Sequence, residues 1–178
     1  MHFLKDLIGK NVKDGAKKDI ALVDGLNITL IDYKVYLRMT GGEIKEIRGR
    51  EEEFLAMEEV NEIGDEITLY KDLKNLISTI KKLEIEKKDS YRISQLIGMD
   101  VIDFDDKHIG TINNVGISEE GRKPYYIVEG PKIEKIRGNK EETLPFIEVD
   151  SIQNSVKIDL PYDTLSKKIR ERSTRGPW

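Results

Sequence analysis

The chain contains one sequence twice, and that repeat limits its fold more than any other feature. Leu7-Ile8-Gly9, followed by Val12 and Asp14, returns 89 residues later as Leu96-Ile97-Gly98, followed by Val101 and Asp103. At the same offset, without a gap, Ile20 falls on Ile109, Ile28 on Ile117, Tyr36 on Tyr125 and Gly41 on Gly130. Ile47-Arg48-Gly49 falls on Ile136-Arg137-Gly138, Glu52-Glu53 on Glu141-Glu142, and Glu59-Val60 on Glu148-Val149. Of the 89 aligned positions 23 are identical, where unrelated segments of ordinary composition would share about 5 or 6. A chain of 178 residues could form one domain on length alone. The repeat instead predicts two units, residues 1–89 and 90–172, with a flexible tail at 173–178.

Within each repeat, short extended segments at 11–14 and 100–103 follow the Leu-Ile-Gly start. A longer strand at 109–118 loses its alternation at Asn113-Asn114, which predicts a bulge. Further strands are expected at 124–129, 142–145 and 155–160, with counterparts in the first repeat. The charged stretches between Thr40 and Arg50 and between Gly130 and Lys140 read as loops. Six short strands per repeat, separated by turn signals, argue for a small closed or nearly closed barrel, about 4–70 and 93–162. Each ends in a helix. Leu73, Leu76, Ile77, Ile80 and Leu83 keep three- and four-residue spacing, predicting an amphipathic helix over 72–87 capped by Asp72. Leu165 and Ile169 keep the same period over 163–172, with Asp163 able to cap. The fold class is mainly β: two tandem small barrels, each followed by a short C-terminal helix.

Composition removes several functions. There is no cysteine, hence no disulfide, thiolate nucleophile or thiolate metal site. The formal net charge of −4 gives no overall attraction toward nucleic acid or anionic lipid. No apolar run reaches the roughly 18 residues that would span a bilayer, and no signal sequence opens the chain, so a cytoplasmic protein is expected. His2 and His108 are the only histidines; they do not align in the repeats and have no companion ligands, so no metal site is expected. Thr40-Gly41-Gly42 lacks the spacing and lysine of a phosphate loop. The carboxylates at 52, 53 and 59 recur at 141, 142 and 148, which fits a role in the barrel better than acid–base chemistry. No catalytic residue and no cofactor is expected, and the chain reads as a non-enzyme.

Two features point to a partner. Residues 167–175 carry Lys167, Lys168, Arg170, Arg172 and Arg175 against Glu171 alone. Trp178 is the single tryptophan, in the tail, and buried aromatics and arginines are favoured anchors in protein interfaces. Arg170, Arg172, Arg175 and Trp178 are therefore the candidate partner-binding residues.

The second repeat has Leu96-Ile97-Gly98, then Ile109-Gly110-Thr111-Ile112, then Tyr125-Tyr126-Ile127-Val128 and Leu144-Pro145-Phe146. In this order it resembles the PRC-barrel superfamily. The first repeat keeps Leu7-Ile8-Gly9 but has Ala21 for Gly110 and Leu55-Ala56-Met57 for Leu144-Pro145-Phe146. Two barrels and little else is the architecture of archaeal cell-division PRC-barrel adaptors of the CdpB-like kind. That resemblance implies a protein scaffold that assembles with itself or a paralogue, as a homo- or hetero-oligomer. It also implies SepF, FtsZ or another PRC-barrel protein as partner, with recruitment to the division site. The alternative is an RNA- or ribosome-associated factor of the RimM type using the basic end. The negative charge and the lack of interleaved aromatic and basic residues on any strand speak against nucleic acid.

Overall fold

A computed structural model describes residues 1–83, 89–119 and 122–172. The first repeat runs β1 (His2–Phe3), α1 (Leu4–Leu7), β2 (Asn11–Lys13), β3 (Asp19–Thr29), β4 (Val35–Thr40), α2 (Lys45–Arg48), β5 (Glu52–Ala56), β6 (Val60–Ile63), β7 (Ile67–Leu69) and α3 (Leu73–Lys82). The second runs β8 (Ser90–Arg92), β9 (Asp100–Ile102), β10 (His108–Ile117), β11 (Pro124–Glu129), α4 (Pro131–Arg137), β12 (Glu141–Pro145), β13 (Val149–Ile152), β14 (Val156–Ile158) and α5 (Tyr162–Arg172).

The strands form two seven-stranded sheets with one topology. In the first the order is β5-β4-β3-β2-β7-β6, with β8 also on β3; in the second it is β12-β11-β10-β9-β14-β13, with β1 also on β10. Antiparallel hairpins build most of each sheet, and one parallel pair bends it round: Val12 stands opposite Ile67, and Val101 opposite Val156. The sheet ends β5 and β6 are consecutive, joined only by the 3-10 turn Met57–Glu59, and Phe146–Glu148 does the same between β12 and β13. Each sheet is thus a small barrel, and each is followed by a helix. The compact units are Met1–Ser94 with Ile117–Arg122, and Gln95–Gly116 with Lys123–Trp178. The second repeat accordingly gives its opening strand and its first hairpin tip to unit 1.

About half of the residues identical between the repeats are core. Leu7, Val12, Ile20, Ile28, Leu55, Leu76 and Ile80 are fully buried in unit 1, and Leu96, Val101, Leu144 and Leu165 in unit 2. Unit 2 replaces Leu37 and Met57 by Tyr126 and Phe146, whose rings meet edge to face with centroids 5.1 Å apart.

Three charged identities are also structural. Asp14 is buried; its Oδ1 accepts N–H bonds from Ala16 and Lys18, both at 3.0 Å, and its Oδ2 accepts from Leu73 at 2.9 Å, the first residue of α3. Asp103 repeats this on Asp105 (3.0 Å), Lys107 (2.8 Å) and Tyr162 (3.1 Å), the first residue of α5. Each carboxylate therefore pins the β-turn before the long strand to an otherwise unsatisfied N–H of the closing helix. The other two charged identities form a pair. Glu53, fully buried, receives Arg48 Nε at 2.9 Å and Nη2 at 2.5 Å. Glu142 receives Arg137 in the same bidentate way.

The charged stretches expected as loops contain α2 and α4. Pro131 opens α4, Ile133 and Ile136 bury one face, and Gly138 at φ 81° closes it. In the first repeat Ile44 is buried in the preceding 3-10 turn and Gly49 closes α2 at φ 67°. A helix of four to seven residues, with two buried side chains in α4 and none in α2, is too short to show a period in the sequence. The segment after the 3-10 turn, outside the strands expected at 142–145 and 155–160, holds β13. In the first repeat a register shift lies between Val23 and Gly25, the copies of Ile112 and Asn114, and on β10 a shift lies between His108 and Gly110. The first helix is Leu73–Lys82, with Asp72 accepting from Asn75 N–H at 2.9 Å. Residues 84–88 of the expected span lie outside the described residues. In α5 it is Asp103 that bonds the first N–H, with Asp163 in the first turn.

The glycine at 110 has a packing reason. A Cβ there would lie 2.3 Å from the Glu129 carbonyl oxygen. In the first repeat the tight approach sits at Gly42, where a Cβ would lie 2.4 Å from the Ile20 carbonyl oxygen, and position 21 is free to be alanine.

Candidate interaction surface

The basic residues of α5 divide between two jobs. On one side, Arg172 Nη2 donates to Glu148 Oε1 at 3.0 Å, and Lys168 Nζ reaches the same oxygen at 3.2 Å. Glu148 is 9% exposed, so these contacts bind the helix to the turn between β12 and β13. Burial holds the Arg172 guanidinium below its ordinary value, against the opposing charge and hydrogen bond of Glu148. The Tyr126 hydroxyl lies buried nearby with no hydrogen-bond partner among the described residues, as does Glu148 Oε2. Burial, and then the Glu148 charge, push the Tyr126 phenol far above its usual range. The first repeat keeps Glu59 for Glu148 but has Leu37, Thr79 and Leu83 for Tyr126, Lys168 and Arg172.

On the other side, α5 and α4 enclose an open groove of about 590 Å³. Its cations are Lys135, Lys167 and Arg170; its acids are Asp163 and Glu171. Arg170 Nε donates to the Ile136 carbonyl at 3.1 Å, tying the two helices together. The Tyr162 hydroxyl donates to the Lys132 carbonyl at 2.7 Å, and the Lys132 ammonium sits 5.6 Å from that ring's centroid. The first repeat has Glu46, Ile77 and Ser78 where the groove has Lys135, Ser166 and Lys167. The charge pattern of the groove is therefore a property of the second repeat alone.

Of the four candidate binding residues, Arg170 and Arg172 are placed on α5, one lining the groove and one engaged with Glu148. Arg175 and Trp178 lie outside the described residues. Lys135 and Tyr162 were not singled out in the sequence. The signal available was the mismatch between repeats at positions of like fold. Among the described residues no group of three or more His, Cys, Asp or Glu could hold a metal ion, and no helix is long and apolar enough to cross a membrane.

Residues 88–165 match the PRC-barrel domain. This chain carries a PRC-barrel domain. The match covers the second repeat, and the PRC topology recurs strand for strand in the first. Among solved structures, one from Pseudomonas aeruginosa is described as a 16S ribosomal RNA processing protein, RimM. It shares 19% identity over 88% of this chain and 98% of that one, with a TM-score of 0.32. No curated protein matches the chain.

Proposed function

We propose that this PRC-barrel protein is a non-enzymatic adaptor that docks a protein partner at the α4–α5 groove of its second barrel. The observation that carries this reading is the groove's interleaved charge. Three cations and two acids around one opening fit a polypeptide with both signs of charge better than a uniform polyanion. The cations of α5 that would otherwise make a basic stripe are in part occupied by Glu148. The cell-division setting, with SepF, FtsZ or another PRC-barrel protein as partner, follows from the resemblance of the two-barrel architecture and is the form of the proposal to test.

The test is a pull-down from native extract with the parent chain and with a Lys135→Glu/Lys167→Glu variant, read by mass spectrometry. The expected result is recovery of one of those proteins by the parent and its loss with the variant. Recovery of ribosomal proteins and RNA, released by salt, would replace the adaptor reading with the RimM-type alternative.

A further inference from the structure

β8 fills a place in unit 1 that the first repeat leaves empty. Beyond β2, the same edge of β3 continues as Asn27, Ile28 and Thr29, and these pair with Arg92, Tyr91 and Ser90. At the repeat offset Tyr91 and Arg92 are the copies of His2 and Phe3. His2–Phe3 does not occupy this place; it pairs with β10. The strand that completes the sheet of unit 1 therefore comes from a different repeat than the sheet itself.

The contacts in this place are specific but few. Asn27 Nδ2 donates to Ser90 Oγ at 2.9 Å, the Leu30 N–H donates to the Asp89 carbonyl at 3.3 Å, and Arg92 Nη2 stands 3.5 Å from Glu52 Oε2. Ser90 and Tyr91 are only half-buried and Arg92 is exposed. A three-residue strand held in this way belongs to the low end of local stability and opens far more often than the core. Ile93, which follows it, is fully buried, so an incoming donor has to bring that residue too. A free peptide of three residues lacks it. A second copy of this chain supplies both, with every contact reproduced.

We propose that the place beside β3 accepts β8 from a second copy, so that copies join by strand exchange. This deepens the adaptor reading and rests on it for its purpose; it names the contact through which copies assemble. The exchange conserves all pairings, so association is governed by concentration.

The absence of cysteine makes the test direct. Asn27 and Arg92 are directly opposed, as are Thr29 and Ser90, within reach of a disulfide. The full chain is prepared as N27C, R92C and the N27C/R92C double variant, and again as T29C, S90C and their double. Each double closes an intrachain bond when dilute, which verifies the register. Concentrated mixtures of the two single variants in a thiol–disulfide buffer are expected to give the mixed covalent dimer several-fold above either like-with-like dimer. The proposal is overturned if both mixtures give no such excess, or if neither double variant closes. Partner capture by the unlocked parent chain separates the two ideas: no capture with an intact heterodimer result sinks the adaptor reading alone, and capture without the heterodimer sinks strand exchange alone.

Discussion

Replacing Asp14 or Asp103 by alanine tests the account of how each barrel is joined to its helix. Either substitution removes an acceptor for three backbone N–H groups at 2.8–3.1 Å. A hydrogen bond to a charged group contributes about 1.5–3 kcal/mol, but two of the three donors lie in a surface turn and recover water once the carboxylate is gone. The helix N–H, losing its cap, costs about 1 kcal/mol by itself. With about 1 kcal/mol net for each of the two turn bonds, the sum is about 3 kcal/mol for each site. With a urea slope of about 1–3 kcal/mol per molar, the unfolding midpoint falls by about 1–3 M. Asparagine in place of either aspartate keeps one acceptor oxygen and should lose roughly half as much. The two sites share no partner and lie in separate units, so the double variant should show the sum of the single losses. Urea unfolding followed by circular dichroism reads all of this. A loss under about 0.5 kcal/mol in both alanine variants would refute the clamp, since that is the range of an ordinary surface substitution.

Three further outcomes follow from the buried polar groups. Arg48→Ala strands the Glu53 carboxylate in the core and should cost about 3–5 kcal/mol, whereas Arg48→Met with Glu53→Leu should return most of that stability in the same urea assay. Burial raises the Asp14 carboxyl, but the N–H donors of Leu73, Lys18 and Ala16 outweigh it and leave the group below its ordinary value. Its contribution is therefore complete above the unfolded-state value of about 4 and is lost as pH falls through the lower folded value; the stability gap between the parent and Asp14→Asn should shrink across that acid window. Tyr126→Phe removes a buried hydroxyl that has no partner among the described residues, and should leave thermal stability unchanged or raise it by up to about 1 kcal/mol.

The sequence was readable where one residue type has one job. The repeat offset, the apolar identities and the spacing of Leu76 and Ile80 led directly to two β-rich barrels with closing helices. The PRC pattern was legible in the second repeat because Gly110 and Leu144-Pro145-Phe146 are packing residues. It was blurred in the first because the close approach at Gly110 has moved to Gly42. Asp14 and Asp103 stood among the identities, yet their role depends on a helix 59 residues further on, which no local window contains. The groove was hidden for a related reason. Lys135 and Lys167 come from different helices, and a one-dimensional count of charge at the chain's basic end mixes groove-lining residues with those that hold Glu148. Strand β8 was not foreseen either, since three residues with one aromatic carry no usable pattern.

The composition of unit 1 has a consequence for synthesis. The first repeat is complete once residue 89 has been added, but its compact unit also contains Ser90–Ser94 and Ile117–Arg122. A ribosome adding about 5–20 residues per second needs roughly 2–7 s to travel from residue 89 to residue 122. Until Ser90–Arg92 have been added and have emerged, the nascent first barrel has its core but an unfilled edge at Asn27–Thr29. On a crowded message, the neighbouring ribosomes hold chains at the same stage, and those further along already display Ser90–Arg92. The order of translation thus opens a time window in which copies from one message meet with the acceptor ready and the donor near.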